Sequence, residues 1–231
     1  MIMTRSAAIV GATGLVGGEL LSLLLEDEMY DKVLVYTRKS TALQHPKMEE
    51  KVGDLLDDDF FGDAIIADDI FCAIGTTQAK TPNLAVYRNV DFGIPVRVAA
   101  LGLKGGAKRF VVVSSMGANA NSRIFYPRIK GQMESALQKM PLKRLRIVRP
   151  AMLKGKRSEF RLGEFIGIKL LSTAGKIIPK KYRPISARRT ALAMLNLAKN
   201  DDIQGVIFEN DQLRKWAAEP NFSNTPSPNK A

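Results

Sequence analysis

A glycine-rich loop near the N-terminus constrains the fold of this chain more than any other feature of its sequence. Gly11, Gly14 and Gly17 stand at a G-x-x-G-x-x-G spacing, between the apolar run at 7–10 (AAIV) and a leucine-rich stretch at helical spacing. In such loops the first glycine permits a tight turn, the second lets the backbone approach a pyrophosphate, and the third lets the helix pack closely. The pattern predicts a strand, loop and helix that bind a pyrophosphate on the helix N-terminus, and Thr13, Leu15 and Val16 belong to the same predicted site.

The rest of the chain continues the alternation of short apolar runs and helical patterns. Runs that are apolar on both faces indicate parallel strands covered by helices on both sides. The sequence therefore predicts an α/β fold with a doubly wound, mostly parallel sheet of the Rossmann type. We expect one NAD(P)-binding domain over 1–220, with a substrate-side subregion at about 151–189 and a disordered tail at 221–231. Strands are predicted at 7–10, 33–36, 51–54, 70–74, 110–113, 145–148 and 206–208, and helices after the glycine loop, over 87–103 and over 122–140.

Composition narrows the class of protein. The 231 residues include one cysteine, Cys72, so a disulfide framework is excluded. No apolar run approaches the roughly 20 residues that span a bilayer, and no signal peptide is recognisable. On these grounds we expect a soluble protein in the cytoplasm.

The residues that follow the second strand favour one cofactor over another. An acidic residue there usually binds the ribose hydroxyls of NAD, but this chain has Arg38 and Lys39. A guanidinium can pair bidentately with a 2′-phosphate, so NADP(H) is favoured over NAD(H). The order of the predicted strands places further residues in the cofactor site. We expect Asp54 and Leu55, after the third strand, at the edge of the adenine, and Gly75 and Thr76, after the fourth strand, near the ribose and nicotinamide.

A tyrosine and a lysine stand at the spacing that puts two side chains on one face of a helix. Tyr126 and Lys130 form Y-x-x-x-K, and a lysine near a tyrosine stabilises the phenolate. The tyrosine can then exchange a proton with a substrate oxygen. Ser115, at the end of the fifth strand, is the serine that we expect to hold this oxygen, and Ser114 remains an alternative.

The motifs GATGLVGG, YTRK, FCAIGTT, YRNVD, VVVSSMGA, FYPRIKGQMESAL and IVRPAML together resemble the short-chain dehydrogenase/reductase superfamily. Within it, the chain is most similar to the atypical branch related to the human Tat-interacting protein and its bacterial relatives. The resemblance covers about 9–208 and implies a Rossmann fold, NADPH binding and the catalytic set Ser115, Tyr126 and Lys130, with Lys130 also bound to the cofactor ribose. It also suggests that the helix containing Asn89 lies near the cofactor.

Two functions from different classes follow. The first is an NADP(H)-dependent oxidoreductase that acts on the carbonyl/alcohol pair of a small molecule. The second is an NADPH-binding regulatory or redox-sensing module without turnover, which would bind a partner through a basic C-terminal face.

The segment 101–189 carries a net charge of +19, against −6 for 1–100, and its run at 154–157 suggests either an anionic substrate or a solvated surface. Nucleic acid is disfavoured because no recognition motif is present, and the single histidine, His45, gives no metal-binding pattern.

Overall fold

A parallel sheet of seven strands forms the centre of the molecule. The computed structural model describes residues 4–154 and 179–217. Within them, every neighbouring pair of strands in the large sheet is parallel, and the strand order is β3-β2-β1-β4-β5-β6-β9. The first six strands have the order of a doubly wound dinucleotide-binding sheet, and β9 extends it by one. The predicted fold class is therefore confirmed.

The elements have the following bounds. The strands are β1 (Arg5–Val10), β2 (Tyr30–Thr37), β3 (Met48–Val52), β4 (Asp69–Cys72), β5 (Arg109–Val113), β6 (Arg144–Arg149), β7 (Leu153–Lys154), β8 (Ile185–Ser186) and β9 (Ile207–Glu209). The α-helices are α1 (Leu15–Glu26), α2 (Leu84–Arg88), α3 (Ile94–Lys104), α4 (Phe125–Gln138), α5 (Ala187–Lys199) and α6 (Asn210–Trp216). A π-helical turn spans Asn89–Gly93, a 3₁₀ turn spans Lys180–Tyr182, and β7 pairs with β8 in a small separate sheet.

Alternate side chains of each strand enter two apolar layers. In β1, Ala7 and Ile9 pack with α1, α5 and α6, whereas Ala8 and Val10 pack with α3 and α4. A strand whose two faces are both covered has to be apolar throughout, which explains the unbroken run AAIV. Cys72 lies in the second layer with no exposed surface, and burial raises the pKa of its thiol to about 11.

Several predicted bounds differ from the structure. The third strand runs over Met48–Val52, not 51–54, so Asp54 lies in the turn that follows. The predicted helix 122–140 begins only at Phe125, since Pro127 is compatible with the first turn of a helix but not with its interior. The tail 221–231 lies outside the described residues, as does most of the predicted substrate-side subregion.

The predicted helix over 87–103 is interrupted where the sequence contains Pro95. Proline has no N–H to donate to the carbonyl of Asp91, the partner that it would have in a regular α-helix. The chain widens there into the π turn, in which the N–H of Ile94 donates to the carbonyl of Asn89. Such turns are frequent at functional sites, and this one lies beside the cleft described below. Among the described residues, none of the helices is both long and apolar enough to cross a bilayer.

Candidate functional site

A cleft of about 520 Å³ lies along the carboxyl edge of the large sheet. Its walls come from the segments that directly follow β1, β2, β4, β5 and β6, together with α2, the π turn and α3. In open α/β sheets, ligands bind at this edge, where the direction of the strand order reverses. The volume is within the usual range for small-molecule and cofactor sites.

The glycine loop lies in the middle of the cleft, between the residues that follow β2 and those that follow β4, and its backbone explains the spacing of its glycines. Gly11 has a φ of +95°, and a Cβ on it would lie 2.8 Å from the backbone of Ala73. A Cβ on Gly17 would lie only 2.0 Å from the carbonyl oxygen of Gly11, so α1 can approach the loop this closely only without a side chain there. The loop therefore requires glycine at both positions.

The N-terminus of α1 is free to receive an anion. Its N-cap residue is Gly14, which has no side chain to cap the helix, and the first turn contains no acidic residue. The first N–H groups of a helix lack partners within the helix and carry its positive dipole end. The residues present therefore fit a pyrophosphate group at this position.

Most of the predicted site residues line this one cleft. Those that line it are Gly11, Thr13, Gly14, Leu15, Val16, Arg38, Leu55, Gly75, Thr76, Ser115 and Tyr126. Gly17, Lys39, Asp54 and Lys130 are not part of its lining: Gly17 packs under the loop, Lys39 and Asp54 are exposed, and Lys130 is buried behind the wall. Asn89 is exposed and also outside the lining, although its neighbours Val86, Val90 and Ile94 contribute to it.

The two adjacent serines after β5 have different surroundings. Ser114 Oγ donates a hydrogen bond to Glu134 Oε1 at 2.5 Å. Both serines line the cleft, but Ser115, which is 8% exposed, has an Oγ without a hydrogen-bond partner among the described residues. A buried hydroxyl without a partner is costly unless something binds to it. Of the two hydroxyls, that of Ser115 is the one that a ligand could bind without displacing a described protein partner.

Tyr126 stands in the first turn of α4 at the wall of the cleft. Its ring packs edge-on against Tyr87, with centroids 6.4 Å apart, and Tyr87 packs in the same way against Phe125. These aromatic contacts between α2 and α4 fix the orientation of the ring.

Lys130 lies one turn later on α4 and is 1% exposed. Its Nζ is 3.0 Å from Asp91 Oδ1 and donates to the carbonyl of Val113 at 3.3 Å. Asp91 comes from the π turn, has no exposed surface, and accepts a hydrogen bond from the backbone N–H of Thr76 through Oδ2. The predicted lysine therefore belongs to a buried ion pair that the sequence reasoning did not include.

A second buried group, Glu134, also escaped the sequence reasoning. Its carboxylate accepts hydrogen bonds from Ser114 and from Arg149, and Arg149 also reaches Glu209 at 2.9 Å. The hydrogen bond with Glu134 is the largest cause that raises the pKa of Arg149 above its usual value. The sequence does contain one signal for both Asp91 and Glu134. Each is an acidic residue on the otherwise apolar, inward face of a helical pattern. An unpaired charge is not tolerated there, so such a residue indicates a buried partner.

Several cations of the basic segment 101–189 pair with carboxylates. Arg109 and Arg144 pair with Asp201, and Arg109 also pairs with buried Asp69. Further pairs are Lys108–Asp68, Lys130–Asp91, Arg149–Glu134 and Arg188–Glu19. Apart from Glu134, these carboxylates lie outside the segment, so its charge is compensated in part by acidic residues from elsewhere in the chain. Lys156 and Arg157, in the run that the sequence suggested for an anionic substrate, lie outside the described residues.

Comparison with known proteins places the chain in a family. A family model described as NAD(P)H-binding matches residues 11–169. The mitochondrial protein FMP52 of Candida albicans is 29% identical over 224 residues, which cover 92% of this chain and 98% of that protein. The fmp52 protein of Aspergillus clavatus is 32% identical over 179 residues, 74% of this chain and 76% of that protein. Rat HTATIP2 is 30% identical over 176 residues, 74% of this chain and 72% of that protein.

The chain belongs to this NAD(P)H-binding family, in the atypical branch of the short-chain dehydrogenase/reductase superfamily that includes FMP52 and HTATIP2. Solved structures agree on the fold. MoeE5 in complex with UDP-glucose and NAD has a TM-score of 0.62 at 14% identity, over 90% of this chain and 79% of that one. The ADP-L-glycero-D-manno-heptose-6-epimerase of Helicobacter pylori has a TM-score of 0.65 at 13% identity, over 92% of this chain and 81% of that one. At such identities the likeness shows the fold alone.

The same comparison corrects the expected location. The FMP52 relatives are named as mitochondrial proteins, so the expectation of a cytoplasmic protein is wrong. That expectation relied on cysteine content and on apolar runs. Neither feature indicates the organelle in which a protein resides, because receptors recognise targeting segments instead.

Proposed function

We propose that this protein is an NADP(H)-dependent oxidoreductase that interconverts a carbonyl and an alcohol on a small molecule. The observation that carries the proposal is the cleft shared by the glycine loop, the partnerless hydroxyl of Ser115 and the ring of Tyr126. A dinucleotide site and a proton-transfer site at one sheet edge are what such chemistry requires.

The cofactor contacts that we propose run along the cleft. The N–H groups at the start of α1, with Gly11, Thr13 and Gly14, hold the pyrophosphate. Arg38 pairs with the 2′-phosphate, and exposed Lys39 adds positive charge beside it. Leu55 and Asp54 border the adenine, whereas Gly75 and Thr76 border the ribose. The lining at the opposite end contains Ser115 and Tyr126.

When bound, the reduced nicotinamide supplies a hydride for the carbonyl carbon. Ser115 Oγ donates a hydrogen bond to the carbonyl oxygen and orients it toward Tyr126. The Tyr126 phenol gives its proton to that oxygen, which completes the alcohol and leaves a phenolate to be reprotonated from water. Lys130 acts on Tyr126 through its charge, from the buried side of α4.

Titration with each nucleotide tests the cofactor half of this proposal. Following the fluorescence of NADPH and NADH, we expect NADPH to bind more tightly than NADH. If neither nucleotide binds, or if NADH binds more tightly, the proposed cofactor is wrong.

A pair of tyrosine variants tests the catalytic half. Tyr126→Phe is expected to lower kcat by about 100-fold or more and to leave NADPH binding unchanged, because it removes the transferred proton and little else. Tyr182→Phe is the matched control, since Tyr182 is 51% exposed and outside the cleft. Full turnover in Tyr126→Phe would remove the tyrosine from the mechanism.

The regulatory module without turnover is the less favoured function. It relied on a basic face, and several cations of that segment are paired with carboxylates of the same chain. A hydroxyl kept without a partner in the cleft fits chemistry better than passive binding.

A further inference from the structure

The first residue of α6, Asn210, is the starting point of a further inference. It directly follows β9, which lies beside β6 in the sheet with Glu209 in register with Arg149. This register places Asn210 next to the turn that follows β6, and that turn, residues 150–153, lines the cleft. Asn210 has no exposed surface and is not part of the lining. A buried amide, fixed in place by the sheet, therefore stands behind one wall of the candidate site.

The amide of Asn210 makes hydrogen bonds in two directions. Its Oδ1 accepts from the backbone N–H of Ala151, in the turn after β6, at 3.1 Å. Its Nδ2 donates to three backbone carbonyls, those of Lys180 at 3.3 Å, Lys181 at 3.0 Å and Arg183 at 2.9 Å. Among side chains of this size, only an amide offers an acceptor on one side and two N–H donors on the other. Asparagine thus joins two backbone segments that are far apart in the chain.

Further backbone hydrogen bonds connect the turn after β6 to the rest of the cleft wall. The carbonyl of Pro150 accepts from the N–H of Met116, the residue after Ser115, at 3.0 Å. The carbonyl of Met152 accepts from the N–H of Ile185 in β8, also at 3.0 Å. The loop that contains Ser115 and the turn after β6 are therefore one hydrogen-bonded unit, which the buried amide holds from behind.

We infer that Asn210 is a positioning residue: through Ala151 it fixes the turn after β6 relative to Ser115 and Tyr126, and with it the fit of the nicotinamide half of the cofactor. The inference rests on the proposed function, in which the adenine lies beside Leu55, across the glycine loop from this turn. A displacement of the turn then acts on the nicotinamide half and leaves the adenosine half in place.

A comparison of two ligands tests the inference without relying on turnover. NADPH fills both halves of the proposed site, whereas ADP that carries a 2′-phosphate fills only the adenosine half. In Asn210→Asp, a carboxylate oxygen replaces the N–H donors that face three carbonyls, so the turn after β6 has to shift. By calorimetry, we expect NADPH to bind about 10-fold more weakly in this variant, and the ADP derivative to bind as in the wild type.

Asn196→Asp is the matched control. Asn196 is partly buried, and its Nδ2 donates to the carbonyl of Trp216, the last residue of α6, at 2.8 Å. The same substitution therefore removes the same kind of hydrogen bond at the opposite end of the same helix. It should lower Tm and leave the Kd of both ligands unchanged.

The outcome in Asn210→Asp decides between positioning and a purely structural role. Equal weakening of both ligands, or unchanged binding of both at a lower Tm, overturns the inference. If this variant does not fold, Asn210→Ser decides in its place, since a hydroxyl keeps a donor and an acceptor but is too short to reach both segments. It should show the same selective loss of NADPH binding. If the wild type prefers NADH, the ligands compared are NADH and ADP.

Turnover then separates this inference from the function on which it rests. With a substrate in hand, Asn210→Asp should lower kcat by about 100-fold, because a shift of about 1 Å between the reacting atoms has an effect of this order. A wild-type protein that binds NADPH without turnover refutes the proposed oxidoreductase, while the two ligands still decide whether Asn210 positions the turn. A wild-type protein that binds neither nucleotide overturns both.

Discussion

Ser114 and Ser115 are neighbours in the chain and both line the cleft, yet Ser114 Oγ is bonded to buried Glu134, while Ser115 Oγ has no hydrogen-bond partner among the described residues. Successive side chains at the end of a strand point to opposite sides, so the two hydroxyls have different surroundings. The sequence left the choice between them open, and this alternation supports Ser115.

Alanine at each serine should therefore have opposite consequences. Ser115→Ala is expected to reduce kcat by about 100-fold or more with stability unchanged, since it removes a donor to the developing oxyanion. Ser114→Ala should cost about 1–2 kcal/mol of unfolding free energy, because Glu134 loses a hydrogen bond. Steady-state kinetics and denaturant unfolding of both variants make the comparison. The assignment fails if Ser114→Ala is the variant that loses turnover at full stability.

The glycines of α1 offer a test of the loop. In Gly17→Ala the new methyl group would lie 2.0 Å from the carbonyl oxygen of Gly11, so the loop must shift and nucleotide binding should be lost. Gly18→Ala is the control next to it, with its Cβ at an ordinary 3.4 Å from Ala12 O. That substitution should raise stability by about 0.5–1 kcal/mol through helix propensity and keep binding intact. Equal binding in the two variants, measured by nucleotide fluorescence, would contradict the role given to the loop.

Arg38 and Lys39 provide a test of cofactor preference. Both are exposed, but only Arg38 lines the cleft. Arg38→Ala should weaken NADPH binding by about 10- to 100-fold, because it removes a pair of charge-assisted hydrogen bonds to the 2′-phosphate. NADH has no such phosphate, so its binding should change little. Lys39→Ala should weaken NADPH binding less, and more so at low salt, since an exposed charge acts through a screened field. If Arg38→Ala weakens both nucleotides equally, Arg38 does not recognise the 2′-phosphate.

Much of this architecture could be predicted from the sequence because local signals and global fold agree. The run AAIV, the glycine spacing and the leucine-rich helix each indicate the same βαβ unit, and the observed strand order follows from it. The exact bounds of the strands and helices were less predictable from the sequence. Asp54 was assigned to a strand that ends at Val52, because the polar residues of β3 at the sheet edge lack the apolar signature of the central strands.

The charged partners inside the site could not be read from the sequence in the same way. Asp91 and Lys130 are 39 positions apart, and they meet only because the π turn and α4 pack on the same face of the sheet. The same holds for Glu134 and Arg149, which connect α4 to the end of β6. A pairwise contact of this kind depends on tertiary packing, whereas the presence of each charge in an apolar stripe is a local signal that can be searched for.

Acid should weaken the protein through Asp68, which joins β1 to the start of β4. Burial raises the pKa of this carboxyl, but hydrogen bonds from Lys108 and from Ser6 outweigh that effect and lower the pKa from 3.8 to about 2. A carboxyl whose pKa is depressed on folding stabilises the protein above its unfolded pKa, and that stability is lost as pH falls through the folded value. The difference in Tm between wild type and Asp68→Asn should therefore be largest above about pH 4 and should close toward pH 2. Lys108→Met, which removes the strongest of the lowering contacts, should move this loss to higher pH, and a Tm difference independent of pH would exclude Asp68 as the acid-sensitive group.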